Sequence, residues 1–126
     1  MSRTLFLTLA ASAALCCATP VLAASGQNCF RMSQLQSTRP DGDKRIYARV
    51  NVNDYYRIDL AQRCSSLPYA DQGLVLTPAG GNDLICSPID LDLKVNDHGA
   101  LEPCIISSIT KLTPAEVAAI PKKAKP

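Results

Sequence analysis

The clearest structural signal in the 126-residue chain lies in two neighbouring stretches, Arg45-Ile46-Tyr47-Ala48-Arg49-Val50-Asn51-Val52 and Tyr55-Tyr56-Arg57-Ile58-Asp59-Leu60. Apolar and polar side chains alternate through both segments, so that each segment presents one apolar face. A period of two is typical of a half-buried β-strand. The two segments therefore predict a β-hairpin.

The loop of this hairpin follows from which residues can face each other. A two-residue turn at Asn53-Asp54 would place Val50 opposite Arg57. A three-residue loop keeps the apolar sets together, because side chains of a strand alternate between its faces. The predicted cross-strand pairs are Val52 with Tyr56, Val50 with Ile58 and Ala48 with Leu60.

Further apolar segments of strand length lie between clusters of turn-forming residues. They are residues 73–77, residues 84–86 continuing past Pro88 into residues 89–95, and residues 104–109. Thr113 and Glu116 then form a capping-box pattern, and Pro121 ends the short helix that it starts. The sequence predicts a mainly β fold: a small, curved antiparallel sheet or open barrel of five or six strands with a short C-terminal helix.

Residues 1–23 are typical of a cleaved secretory signal peptide. Arg3 supplies the positive charge, and Val21-Leu22-Ala23 offers small residues for cleavage. The apolar stretch is about 15 residues long, short of the roughly 20 that a membrane span needs. We expect a bacterial periplasmic or secreted protein with no membrane span after cleavage. Residues 24–28 would form a flexible lead-in, and the Lys/Pro tail at residues 121–126 a frayed, solvated end.

Four cysteines follow the predicted cleavage site: Cys29, Cys64, Cys86 and Cys104. An even number in a short exported chain indicates disulfides. There is no C-x-x-C spacing, and the single histidine completes no zinc-ligand pattern, so neither a metal nor a cofactor is expected. Of the three possible pairings we favour Cys29–Cys104 with Cys64–Cys86, because it ties the first ordered segment to the last strand.

The predicted mature chain is nearly neutral. Loss of Arg3 leaves 12 basic against 11 acidic residues, and the signs alternate along the body of the chain. The chain has no tryptophan. Nucleic-acid binding needs a clustered basic surface with aromatic side chains for stacking, so no nucleic-acid partner is expected.

Tyr47 and Tyr55 fall on the polar face of the predicted hairpin, with Arg49 and Arg57 beside them. Tyrosine and arginine are enriched at binding hot spots. The alternative is that both tyrosines only cover strand backbone. These four residues are the candidate binding surface, and the expected partner is an unknown envelope protein or cell-wall component.

An enzyme would have to use Asp90, Asp92 or His98. Asp90 and Asp92 alternate onto one strand face, as paired carboxylates would, but Lys94 continues that face and favours a solvated surface. His98 lies in a turn, where the side chain of the adjacent Asp97 is expected to point away from it. No serine lies in a nucleophile motif. We therefore expect no enzymatic activity.

Five short segments carry spaced cysteines and apolar anchors. They are Cys29-Phe30, Tyr56-Arg57-Ile58-Asp59-Leu60 with Cys64 and Leu67, Leu84-Ile85-Cys86, Cys104-Ile105-Ile106 and Leu112-Thr113-Pro114-Ala115-Glu116. This pattern resembles a family of small exported bacterial proteins of unknown function. The resemblance implies an envelope location and a disulfide-stapled domain over residues 29–120, and it assigns no activity. The leading hypothesis is a non-enzymatic periplasmic binding module, with a small envelope enzyme or a purely structural envelope accessory as alternatives.

Overall fold

The computed structural model describes residues 28–70 and 73–126. Within them, nine strands form three antiparallel sheets, none of which closes into a barrel. The strands are β1 (Phe30–Arg31), β2 (Leu35–Pro40), β3 (Arg45–Val50), β4 (Asp54–Leu60), β5 (Leu74–Pro78), β6 (Leu84–Ile85), β7 (Leu91–Asp97), β8 (Ala100–Pro103) and β9 (Ile106–Lys111). One helix, α1 (Pro114–Ala118), follows them. The mainly β fold with a short C-terminal helix is confirmed.

The strands outnumber the five or six that the sequence predicts, and they are divided among three sheets. The sheets have the strand orders β2-β3-β4-β9, β5-β7-β8 and β1-β6. Strands β1, β2 and β8 were not predicted. Strand β1 has only two residues, and β2 and β8 are edge strands without a buried side chain, so no alternation of apolar residues marks any of them.

One continuous core joins the three sheets. Its fully buried side chains include Ile46 and Ile58 from the four-stranded sheet, Leu93 and Val95 from the three-stranded sheet, and Ile85 from the two-stranded sheet. Each such side chain contributes about 1.5–3 kcal/mol of burial free energy. The three sheets are therefore held by shared packing.

The β3–β4 hairpin keeps the predicted faces but not the predicted register. Its loop has three residues, as predicted, but lies two residues earlier, at residues 51–53, so that Ala48 faces Tyr56. Asn51 adopts a left-handed conformation with φ of 53°, which asparagine tolerates well. Val52 is consequently left 78% exposed. The predicted cross-strand pairs are wrong because they assumed that Val52 belongs to the strand.

The predicted disulfide pairing is also wrong. Within the described residues, Cys29 bonds to Cys86 and Cys64 bonds to Cys104. The two-residue strands β1 and β6 pair with each other, which brings together the cysteines that flank them. The other bond joins the loop after β4 to the connection between β8 and β9, inside the main core.

The predicted strand across residues 84–95 is two strands in different sheets. A 3-10 turn at Pro88–Asp90 separates β6 from β7. Ser87 and Asp90 form a capping box around this turn. The turn allows β6 to join β1 while β7 joins the three-stranded sheet.

The C-terminal segment, residues 112–126, packs onto the protein. The predicted capping box is confirmed: the Thr113 amide donates to Glu116 Oε2 at 2.8 Å, and Thr113 Oγ1 accepts from the Glu116 amide at 3.4 Å. The expectation of a frayed tail is wrong, because Lys122–Ala124 forms a 3-10 turn in which Ala124 is fully buried.

The predicted signal peptide at residues 1–23 lies outside the described residues. Among those that the structure describes, no helix is long and apolar enough to cross a membrane.

Candidate functional site

The structure brings the four predicted binding residues together on one face of the four-stranded sheet. In the β3–β4 register, Tyr47 lies opposite Arg57 and Arg49 lies opposite Tyr55. Their neighbours along each strand point into the core, so these four side chains point to the other side. We call this side of the sheet the Tyr/Arg face.

The C-terminal segment covers part of the Tyr/Arg face. Tyr47 packs in a second apolar cluster with Ile120 and Ala124 and is only 7% exposed. Tyr55 and Val117 pack against the same cluster. Tyr47 was predicted to be a surface residue, because no local pattern shows that a segment more than 60 residues later lies on it. The accessible part of the face therefore excludes Tyr47.

Two arginines of the face share one carboxylate. Asp59 Oδ1 accepts a hydrogen bond from Arg45 Nε at 2.9 Å, and Asp59 Oδ2 accepts one from Arg57 Nε at 2.8 Å. Burial of Asp59 favours its neutral form, but the hydrogen bonds and charges of the two arginines outweigh this effect and lower its pKa. Arg57 is thus engaged within the sheet.

Arg49 differs from these arginines because no described residue pairs with it. Its Nε is buried without a hydrogen-bond partner, and no ion pair reaches its guanidinium. The hydroxyl of Ser37, which lies opposite Arg49 on β2, is also buried without a partner. An unsatisfied buried donor costs about 1–3 kcal/mol. Both groups therefore lack an acceptor among the residues that the structure describes.

A pocket of about 320 Å³ opens beside Arg49 at the loop end of the hairpin. We call it the hairpin pocket, and its lining residues are Gln36, Arg49, Asn51 and Val52. Gln36 is the extra residue of a bulge, since Leu35 and Ser37 pair with successive residues of β3. Bulges redirect side chains and are frequent beside functional sites. Arg49 was predicted from the sequence but the pocket was not, because β2 was not predicted.

Asp90 and Asp92 have separate partners. The Asp90 carboxylate accepts hydrogen bonds from the Cys86 and Ser87 amides and from the Ser87 hydroxyl, and these bonds lower its pKa. Asp92 pairs with Lys94 at 3.0 Å on the surface. Asp90 therefore serves as a cap of the 3-10 turn.

His98 is close to Asp97, contrary to the expectation that the two side chains point apart. Its Nδ1 lies 2.5 Å from Asp97 Oδ1, and the imidazole is 98% exposed. Ser66 Oγ donates to the other oxygen of Asp97 at 3.2 Å. The carboxylate therefore stands between the hydroxyl and the imidazole, whereas in a hydrolase triad the imidazole stands between the other two. In the described part of the chain, no group of three histidine, cysteine or acidic side chains could hold a metal ion.

An open cleft of about 680 Å³ lies where the three-stranded sheet meets β9. Ile89 and Ile105 line it and are 83% and 62% exposed. The cleft was not predicted, because residue 89 was expected to begin a regular strand segment. The adjacent pair Ile105-Ile106 breaks the alternation of β9 and is the signal that could have indicated an exposed apolar side chain.

The fold and the candidate surface define a small antiparallel β-protein held by disulfides, with a cationic and aromatic sheet face. The chain belongs to the family described as "Family of unknown function (DUF6491)", whose profile matches residues 1–126. Searches of curated proteins and of solved structures found no significant match. The matched family has no assigned function, like the family that the sequence resembles.

Proposed function

We propose that this protein is an exported, non-enzymatic binding module of the bacterial envelope, which binds an anionic partner through the accessible part of the Tyr/Arg face. Disulfides persist in oxidising compartments such as the periplasm, and the sequence of residues 1–23 supports export. The separate roles of Asp90 and Asp92 support a binding function over a catalytic one.

The unpaired guanidinium of Arg49 is the observation that carries this proposal. It lies on a rigid sheet opposite Tyr55, and Lys125 Nζ lies 6.0 Å from the centre of the Tyr55 ring. Rigid sheet positions hold a binding group with little loss of side-chain entropy on association. An arginine without an internal partner leaves its accessible donors available to an external one.

The charge distribution indicates an anionic partner. Residues 35–60 and 106–126, which form the four-stranded sheet and the C-terminal segment, contain nine basic and five acidic residues. Residues 73–103, which include the three-stranded sheet, contain one basic and five acidic residues. A positive surface attracts anionic partners and speeds their association. Phosphate-bearing or carboxylate-bearing envelope components fit the basic half.

The test is binding of the exported protein to isolated envelope fractions, measured by co-sedimentation. Arg49→Gln is expected to weaken binding by about tenfold or more, because it removes one charge-assisted contact. Arg31→Gln is the matched control: it makes the same charge change in the two-stranded sheet, at an exposed residue paired with Asp83. Equal binding by the two variants would contradict the proposal.

Tyr47 and Arg57 are unsuitable positions for this test. Tyr47 is buried and Arg57 holds Asp59, so their replacement would disturb the fold. Arg49 and Tyr55 can be changed with smaller structural consequences. Within the described residues, neither the Arg49 guanidinium nor the Tyr55 hydroxyl is engaged in a hydrogen bond.

A further inference from the structure

We propose that the hairpin pocket holds a single oxyanion, the phosphate or carboxylate group of the partner, with Arg49 as its principal ligand. This inference rests on the proposed function and names the chemical group that is recognised. It concerns one defined pocket, whereas the proposed function concerns the face as a whole.

The polar groups that line the pocket match an oxyanion. Arg49 contributes a positively charged fork of N–H donors, and the carboxamides of Gln36 and Asn51 can each donate as well. None of the lining residues is acidic. Arginine binds carboxylate and phosphate with two parallel hydrogen bonds, which gives direction as well as attraction. A cation would find no anionic ligand here.

The acidic residue nearest to Arg49 along the chain is ionised, but its negative charge is already balanced by a lysine. Asp54 follows the loop and receives hydrogen bonds from Lys111 and from the Asn51 side chain, which lower its pKa. Lys111 Nζ lies 2.8 Å from Asp54 Oδ1. The negative charge of Asp54 is therefore compensated by Lys111, and it leaves the positive charge of Arg49 uncompensated.

The unsatisfied donors of Arg49 and Ser37 also indicate that an acceptor is missing on this part of the sheet. Arg49 Nε and Ser37 Oγ have no acceptor among the described residues, although nearly all buried polar groups in proteins have one. Arg49 also lines the pocket and is partly exposed. The oxyanion would pair with the part of the Arg49 side chain that lines the pocket, and the buried Nε shows that no described residue supplies an internal acceptor. The volume of about 320 Å³ is at the lower end of the range for small-molecule sites, so it admits one such group together with the part of the partner attached to it.

The inference is tested by titrating the 15N-labelled exported protein with inorganic phosphate and, separately, with acetate, at constant ionic strength in sodium chloride. The expected result is a saturable shift of the Arg49 Nε–H resonance and of the Gln36 and Asn51 side-chain amides. Arg49→Gln is expected to raise the apparent dissociation constant by about tenfold or more, and Arg49→Lys by a smaller factor because lysine keeps the charge and loses the fork.

Two further variants make the result specific to the pocket. Gln36→Ala removes a carboxamide that lines the pocket and is expected to weaken anion binding by about threefold to tenfold, while Arg31→Gln is expected to change nothing. Unsaturable shifts spread over many lysines and arginines, or equal losses in Arg49→Gln and Arg31→Gln, would overturn the inference. Matching thermal unfolding of all variants shows that each one is folded.

The source of a phosphate group is distinguished with two more probes, glycerol phosphate and vesicles containing phosphatidylglycerol. Vesicle binding that inorganic phosphate displaces identifies a lipid headgroup, and saturable binding of glycerol phosphate alone identifies a soluble or polymer-borne phosphate. If no small anion binds while envelope binding still depends on Arg49, the pocket inference fails and the proposed function stands. If anions bind at Arg49 but the envelope fraction does not, the proposed function fails instead.

Discussion

Asp59 links β3 to β4 through its carboxylate, and this link depends on pH. Burial alone would raise the pKa of Asp59, but Arg45 and Arg57 hold it below its ordinary value of 3.8. In the unfolded chain the carboxyl titrates near that ordinary value. The resulting stabilisation is therefore present above pH 3.8 and is lost as the pH falls through the lower pKa of the folded state.

Asp59→Asn is expected to lower the free energy of unfolding by about 1–2 kcal/mol at pH 7, because it removes a partly buried charge that accepts hydrogen bonds from two arginines. The difference from the unchanged protein should be smaller at pH 3, below the ordinary carboxyl pKa of 3.8, because the stabilisation by ionised Asp59 is progressively lost there. Urea unfolding at the two pH values measures it. Asp92→Asn is the control, since Asp92 makes only a surface pair with Lys94 and is expected to cost less than about 0.5 kcal/mol. Equal losses in the two variants would be evidence against this account.

The sequence was sufficient to predict which residues share the Tyr/Arg face. It was not sufficient to predict which of these residues are accessible. Alternation along a strand is a local property, so the sequence placed Tyr47, Arg49, Tyr55 and Arg57 correctly on one side. The burial of Tyr47 depends on a distant segment that packs over it. The lack of a described partner for Arg49 depends on the residues opposite it on the two neighbouring strands, Ser37 and Tyr55, neither of which carries a carboxylate.

At the scale of single elements, local chemistry predicted the helix start but not the hairpin register. The capping box of α1 needs only Thr113 and Glu116, which are close in sequence. The register of the β3–β4 hairpin depends on a balance between burying Val52 and placing an asparagine in the left-handed conformation. The structure favours the asparagine, and the exposure of one valine is the consequence.

Thr113→Ala is expected to destabilise the protein by about 1 kcal/mol, because it removes the cap of α1. The helix carries Val117 and leads into Ile120, both of which pack in the cluster over Tyr47. Hydrogen exchange in residues 114–124 should therefore accelerate. Thr113→Ser retains the hydroxyl and is expected to stay close to the unchanged protein. If alanine and serine gave the same exchange rates, the cap would have no part in holding the segment.

At the scale of the whole molecule, the disulfides join elements whose pairing the sequence does not reveal. Cys29–Cys86 depends on the two-residue strands β1 and β6, which are too short to carry a pattern of their own. Cys64–Cys104 depends on the edge strand β8, which was not predicted. A correct pairing therefore required the sheet topology, whereas the number of cysteines alone indicated that disulfides form.

Removal of either disulfide is expected to lower the free energy of unfolding, and the loss should be larger for one bond than for the other. The sequence separations of 57 and 40 residues each give about 4 kcal/mol from loop entropy alone, so entropy barely distinguishes the bonds. Packing distinguishes the two bonds, because Cys64 and Cys104 are buried in the core while Cys86 is exposed. The double variant Cys64→Ala, Cys104→Ala should therefore lose more stability in urea unfolding than Cys29→Ala, Cys86→Ala. The reverse order would contradict this reasoning.

The pairing itself is expected to be visible in a digest made without reduction. Trypsin leaves Cys64 and Cys86 on one peptide, residues 64–94, because no lysine or arginine lies between them. With the bonds seen in the structure, this peptide carries both the Cys29 peptide and the Cys104 peptide, whereas the nested pairing would leave it alone with an internal bond. A second cleavage before Asp83 then separates the remaining alternatives. The peptide with Cys86 should be recovered bound to the peptide with Cys29, and the peptide with Cys64 bound to the peptide with Cys104. Recovery of Cys29 bound to Cys64 or Cys104 would exclude the contact between β1 and β6 that forms the smallest sheet.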